Sequence, residues 1–178
     1  MICGRYPDRI VPTALIMCLC LFSTIARAQQ AHAHLINTKG DTIGMITFTQ
    51  TDSGVLGDIN LHDVPPGVHA LHIHEESECA PPDFKSAGSH FNPSGARHGF
   101  LNPQGPHAGD LPNITADKNG LVKTQFRTGL ISLKKDAKNS LLGKNGASVI
   151  IHEKPDDYIT DPAGASGNRI ACGVVIGS

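Results

Sequence analysis

There is no tryptophan in this chain of 178 residues, and six phenylalanines and two tyrosines make up its aromatic complement. So few rings argue against a nucleic-acid surface that stacks bases on aromatic side chains. An excess of positive charge is missing too. Fifteen Lys and Arg face sixteen Asp and Glu, which is not the basic footprint of a phosphate-backbone binder. No segment carries a sustained helical period, although residues 130–142 have room for a turn or two. The only extended apolar run falls short of the ~20 residues that a membrane-spanning helix needs.

That run lies at the start. Arg5 and Arg9 precede apolar residues 11–25, and Ala26-Arg27-Ala28 follows with the small residues of a cleavage site. This layout predicts a secretory signal peptide over residues 1–28, removed after Ala28, and an exported domain over residues 29–178. A retained membrane anchor is the alternative. Cleavage would remove three bases and one acid, leaving 12 against 15 and a formal charge of −3. It would also remove Cys3, Cys18 and Cys20. Cys79 and Cys172 remain, and in an oxidising compartment two cysteines most simply form one disulfide, with two unpaired thiols as the alternative.

The exported part reads as short strands punctuated by Gly and Pro. Residues 33–37 and 43–49 flank Thr38-Lys39-Gly40-Asp41 as a hairpin. Residues 55–61, 68–74, 121–128, 147–152 and 170–176 are further strand candidates, with Asn119-Gly120 as a turn signal. Such a chain predicts an all-β antiparallel sandwich or barrel forming one domain. Residues 75–112 and 153–168 are too long and irregular for hairpin connections, and loops of that length in a compact domain are usually functional or disordered.

The histidines concentrate on those loops and on two strands. His72-x-His74 places two imidazoles on one face of a strand, because side chains two apart point the same way. His152 ends another strand. His90, His98, His107 and Asp110 fall within 21 positions of a Gly- and Pro-rich loop. Taken singly, each has a plain alternative: a chance surface pair, a satisfied core histidine, a His-bearing flexible loop. Together, six imidazoles and one carboxylate suit borderline first-row metals, and seven ligand groups are too many for one tetrahedral ion. Two neighbouring ions would be satisfied if one imidazole served both through its two nitrogens. His69 has an odd offset from His72 and is expected on the opposite face, in a structural role. His32-x-His34 could capture copper, but an ordinary exposed first strand explains it as well.

At this point the residues resemble a known family. Gly67-Val68-His69-Ala70-Leu71-His72-Ile73-His74 is similar to the first copper-binding signature of the copper/zinc superoxide dismutases. Ser86-Ala87-Gly88-Ser89-His90-Phe91-Asn92-Pro93 resembles their bridging-histidine segment, and Gly105-Pro106-His107-Ala108-Gly109-Asp110-Leu111-Pro112 their zinc loop in its bacterial form. His152-Glu153-Lys154-Pro155-Asp156-Asp157 and Gly167-Asn168-Arg169-Ile170-Ala171-Cys172-Gly173 resemble the last two signatures.

The resemblance implies a Greek-key sandwich or flattened eight-stranded barrel with two long functional loops. It implies copper on His72, His74, His90 and His152, and zinc on His90, His98, His107 and Asp110, one of each metal per subunit. His90 would be the shared imidazolate and would pass a proton to the nascent peroxide. Asp156 would be the carboxylate that orients one ligand of each metal, Arg169 the cation that docks superoxide, and Cys79–Cys172 the disulfide. A homodimer is an arrangement that the family allows. The periplasm is the expected compartment, a eukaryotic secretory route being the other, where Asn113-Ile114-Thr115 would be a glycosylation acceptor. The loop at 153–168 offers only Lys154 as a steering cation, so Lys85 is the substitute expected from the sequence. A non-catalytic metal carrier on the same scaffold and an adhesion sandwich with incidental histidines are the competing readings.

Overall fold

The computed structural model describes Met1 and residues 28–178, so the predicted signal peptide lies almost wholly outside the described residues. The described residues form nine strands: β1 (Gln30–Asn37), β2 (Thr42–Thr51), β3 (Gly54–Leu61), β4 (Gly67–His69), β5 (Leu71–His74), β6 (Ile114–Ala116), β7 (Val122–Thr128), β8 (Ser148–His152) and β9 (Arg169–Gly177). Seven form one antiparallel sheet in the order β5-β8-β9-β1-β2-β3-β7, and β4 and β6 pair separately. β4 leads into β5 and β6 leads towards β7, so the small ribbon links the two edges of the large sheet. The β1-β2-β3 meander is left by a crossover to the β5 edge, and β7 returns to pair with β3, a Greek-key arrangement.

Strand alternation fixes which side is core. In β1, Ala31, Ala33 and Leu35 are fully buried, while His32 and His34 face outward. Ile46, Phe48, Ile59, Leu71, Ile73, Val149 and Ile151 join them in one apolar cluster. In β5 the odd positions serve this cluster, which leaves His72 and His74 on the outer face, and there the loops cover them.

Three expectations need correction. Residues 68–74 are not one strand. At Ala70 the backbone turns to Lys154 and His152 (N–H to Lys154 O, 2.9 Å; His152 N–H to Ala70 O, 3.0 Å), so β4 and β5 enter different sheets and nine strands replace the expected eight. Residues 130–142 hold no helix. Leu133 N–H instead bonds to Gln50 Oε1 at 2.8 Å, and Ser132 bridges Ser140. The only helical turn among the described residues is the 3-10 turn Lys85–Ala87. Strand β6 was not read at all, since three residues are too short to show a period of two.

Candidate metal centre

β5 is an edge of the seven-stranded sheet, and its free side is occupied by the histidine-bearing loop. Ile73 N–H donates to Gly109 O at 2.8 Å, and Phe91 N–H donates to Ile73 O at 2.9 Å. These bonds satisfy an otherwise open edge. They also place His90 beside His74 and Asp110 beside His72. Only glycine fits at 109, because a Cβ there would overlap the Ile73 carbonyl. From the other side β8 pairs with β5 and delivers His152.

Two buried ligand groups result: His72, His74, His90 and His152, and next to it His90, His98, His107 and Asp110. His90 belongs to both. In the first group the nitrogens His72 Nδ1, His74 Nε2, His90 Nε2 and His152 Nε2 are buried without a hydrogen-bond partner. Four orphaned imidazole nitrogens in one place would be costly, since an unpaired buried polar group forfeits its hydration. An ion there would satisfy all four. The opposite nitrogens are used: His74 Nδ1–H donates to Gly88 O at 3.0 Å and His152 Nδ1–H to Gly167 O at 3.3 Å.

In the second group Asp110 Oδ1 lies 3.0 Å from His90 Nδ1, 3.1 Å from His98 Nδ1 and 3.3 Å from His107 Nδ1. His90 Nδ1 and His107 Nδ1 are 3.4 Å apart. A tetrahedron with metal–ligand bonds of ~2.0 Å has edges of about 3.3 Å, so the four atoms are spaced as zinc ligands would be. Asp110 cannot swing away, because its Oδ2 accepts from Gly99 N–H at 2.8 Å and His107 N–H at 2.9 Å.

Asp156 ties the groups together. His72 Nε2–H donates to its Oδ2 at 2.8 Å and His98 Nε2–H to its Oδ1 at 3.0 Å, all fully buried. His72, His98 and Asp156 also lie close enough to resemble a third metal group. It is better read as a hydrogen-bonded carboxylate, since each imidazole already turns its other nitrogen to one of the two groups above. Sequence reading missed what holds Asp156. Asn113 clamps its backbone in both directions, Nδ2–H to Asp156 O at 2.9 Å and Asp156 N–H to Oδ1 at 2.8 Å. Gly164, at φ +65°, passes so close that a Cβ would overlap Asp156 Oδ1 and approach His98 Nε2 to 2.8 Å. Neither residue carries a local signal that would reveal it.

Arg169 is half-buried and held by two carbonyls, Nη1–H to Phe84 O at 2.6 Å and Nη2–H to Gly88 O at 2.7 Å. Gly88 O thus receives both Arg169 and His74. Phe84 is fully buried in a left-handed conformation (φ 52°), a strain of ~1–3 kcal/mol tolerated where surroundings fix the chain. The Cys79–Cys172 disulfide (Cα–Cα 5.6 Å) pins this loop to β9. Arg169, His74, His90, His152 and Glu75 line an open pocket of about 440 Å³. Lys85 and Lys154 are not among its lining residues, and Lys85 pairs with Asp83 at 3.0 Å. His69 is outside both groups, as expected, with its ring between His152 O (2.8 Å) and Pro65 O (2.7 Å).

Without metals the two groups differ in charge. Burial holds His74 well below its ordinary value, His90 at about 4 and His152 at about 3, so these rings are neutral near pH 7. For His98 burial pulls downward, but Asp110 and Asp156 prevail and raise it to about 9. Burial opposes ionisation of Asp110 too, yet the three imidazoles hold it far below the usual carboxylate range. His74, His90 and His152 thus favour their neutral forms, whereas His98 between two carboxylates favours its protonated one.

Known proteins of one family resemble this chain. The family model described as copper/zinc superoxide dismutase matches residues 42–175. A protein of Aquifex aeolicus named Cu-Zn superoxide dismutase 2 is 51% identical over 158 residues, 88% of this chain and 92% of the relative. A crystal structure of a SOD-like protein from Bacillus subtilis superposes with a TM-score of 0.78 at 43% identity, covering 80% of this chain and 96% of that one. The Cu/Zn superoxide dismutase from Brucella abortus gives 0.68 at 28% identity, over 82% and 98%.

Proposed function

Because this chain belongs to the copper/zinc superoxide dismutase family, we propose that its two buried ligand groups are the copper and zinc sites at which it works. The activity is dismutation of superoxide to oxygen and hydrogen peroxide. Copper would be held by His72, His74, His90 and His152, and zinc by His90, His98, His107 and Asp110. The observation that carries this assignment is the set of four orphaned buried nitrogens beside a zinc-spaced tetrahedron that shares one ring with them.

Copper, when bound, supplies the one-electron chemistry that oxidises one superoxide and reduces the next, while zinc has no second oxidation state to offer. The chain's own groups do the rest. His90 Nε2 would hold one proton for the reduced oxygen species when it is not engaged with copper, and the second proton of hydrogen peroxide would come from solvent in the open pocket. Arg169 presents a fixed charge at the pocket wall that attracts and orients a small anion. Asp156 holds the rings of His72 and His98 in the tautomers that point Nδ1 at the metals.

A metal carrier without activity would need neither the aimed cation nor a complete ligand set, and both are present. The signal-peptide layout and the Cys79–Cys172 disulfide support export, most simply to a periplasm, with residues 29–178 as the released enzyme. The test compares superoxide decay by metal-loaded protein with His152→Ala. Fast decay that falls to the free-ion control in the mutant is expected. Bound metals with no catalysed decay in the unmutated chain would overturn the enzyme and leave the carrier.

A further inference from the structure

One donor cluster lies apart from this centre. His32 and His34 project from the outer face of β1, and their rings sit 5.4 Å apart, edge to face at 75°. The histidine pairs within the zinc group have the same spacing: 5.4 Å for His90–His107 and 5.4 Å for His98–His107. That match has a simple origin. Two imidazoles on one ion at ~2.0 Å, with a tetrahedral angle between them, place their ring centres about 5 Å apart.

A third donor faces the pair. Met45 lies directly opposite His34 in the β1–β2 register. Opposed residues share a face, with Cβ atoms ~4.5–5.5 Å apart, which the flexible methionine side chain spans. Met45 is 37% exposed although apolar, and His34 is exposed, so neither is committed to packing. β1 is paired on both sides, with β2 and β9, so the backbone carrying the two histidines is fixed and only side-chain torsions remain to be ordered. On the sheet β1 is three strands from β5, which carries His72 and His74, and two from β8, which carries His152.

We propose that His32, His34 and Met45 form a surface copper site, distinct from the catalytic copper, that binds monovalent copper through two imidazoles and a thioether. The soft thioether selects copper(I), and the imidazoles suit copper in either state. Zinc and the alkaline-earth ions gain nothing from the sulfur. The site does not depend on the assignment of the buried metals.

The test uses purified protein already carrying its two buried metals. It is titrated without oxygen with Cu(I) held by a competing chromogenic chelator, and in parallel with Cu(II). One further Cu(I) per chain is expected. His32→Ala and His34→Ala should each weaken its binding by about tenfold or more, since even the loss of an outer-shell partner costs 10–100-fold. Met45→Leu should weaken Cu(I) but leave Cu(II) binding within about twofold. All three variants should keep the superoxide decay rate, which shows that they fold. Uptake that stops at two metals, a third copper held equally by His34→Ala, or equal Cu(I) affinity in Met45→Leu would each overturn the proposal.

Discussion

Asp156 accepts from His72 with one oxygen and from His98 with the other, one imidazole from each proposed metal group. Removing its charge should therefore weaken two sites at once. Asp156→Asn is expected to lower copper and zinc affinity by about 10–100-fold, measured by chelator competition, because the amide cannot accept from both rings. A change confined to one metal would show that the bridge does not act as described. His98 gives a second residue-level prediction. Its ordinary value near 6.5 rises to about 9 in the metal-free chain, so its proton stabilises that fold fully below 6.5 and the benefit is lost as pH climbs through 9. Zinc must displace this proton. Calorimetry in buffers of different ionisation enthalpy should register about one proton released per zinc at pH 7, vanishing above about pH 10, with affinity rising over the same window. The candidate ligands were readable in the sequence because imidazole and carboxylate announce their chemistry and their order matched a family. Which nitrogen faces which ion was not, since that is set by distant acceptors such as Gly88 O, Gly167 O and Asp156.

At the level of elements, the loop from Glu75 to Gly88 acts as a seat for Arg169, and the disulfide holds that seat to β9. Replacing Cys79 and Cys172 by serine frees a crosslink spanning 93 residues; the chain-entropy model assigns it about 4–5 kcal/mol. Denaturant titration should show a loss of that order. Catalysed decay should also slow, through kcat/KM, because the Phe84 and Gly88 carbonyls would no longer be fixed. Arg169→Lys tests the seat without unfolding it: one ammonium cannot reproduce a planar two-pronged grip on two carbonyls, and a fall in kcat/KM of about tenfold or more is expected. Strand existence was legible where alternation ran for five residues or more, as in β1, β2, β3 and β7. The break at Ala70 was not, because residues 68–74 look continuous until β6 and β8 compete for them.

Taken whole, residues 29–178 carry a formal charge of −3, so their long-range field does not by itself draw an anion in. Attraction has to be local, and Arg169 is the cation on the pocket wall. The sequence pointed to Lys85 as a helper, but its ion pair with Asp83 and high exposure leave it little net field. Lys85→Ala should change the decay rate and its salt dependence far less than Arg169→Gln does. The barrel's closure was the least legible feature at this scale, since the β4–β6 ribbon joins segments 45 residues apart with three-residue strands. Everything rests on one histidine serving two ions through opposite nitrogens. Anomalous diffraction from crystals of the metal-loaded protein, recorded at the copper and zinc edges, tests that most directly. The account predicts a copper peak among His72 Nδ1 and the Nε2 atoms of His74, His90 and His152, and a separate zinc peak among the three Nδ1 atoms and Asp110. A single shared peak, or copper among the Asp110 group with His90 Nε2 facing solvent, would contradict it.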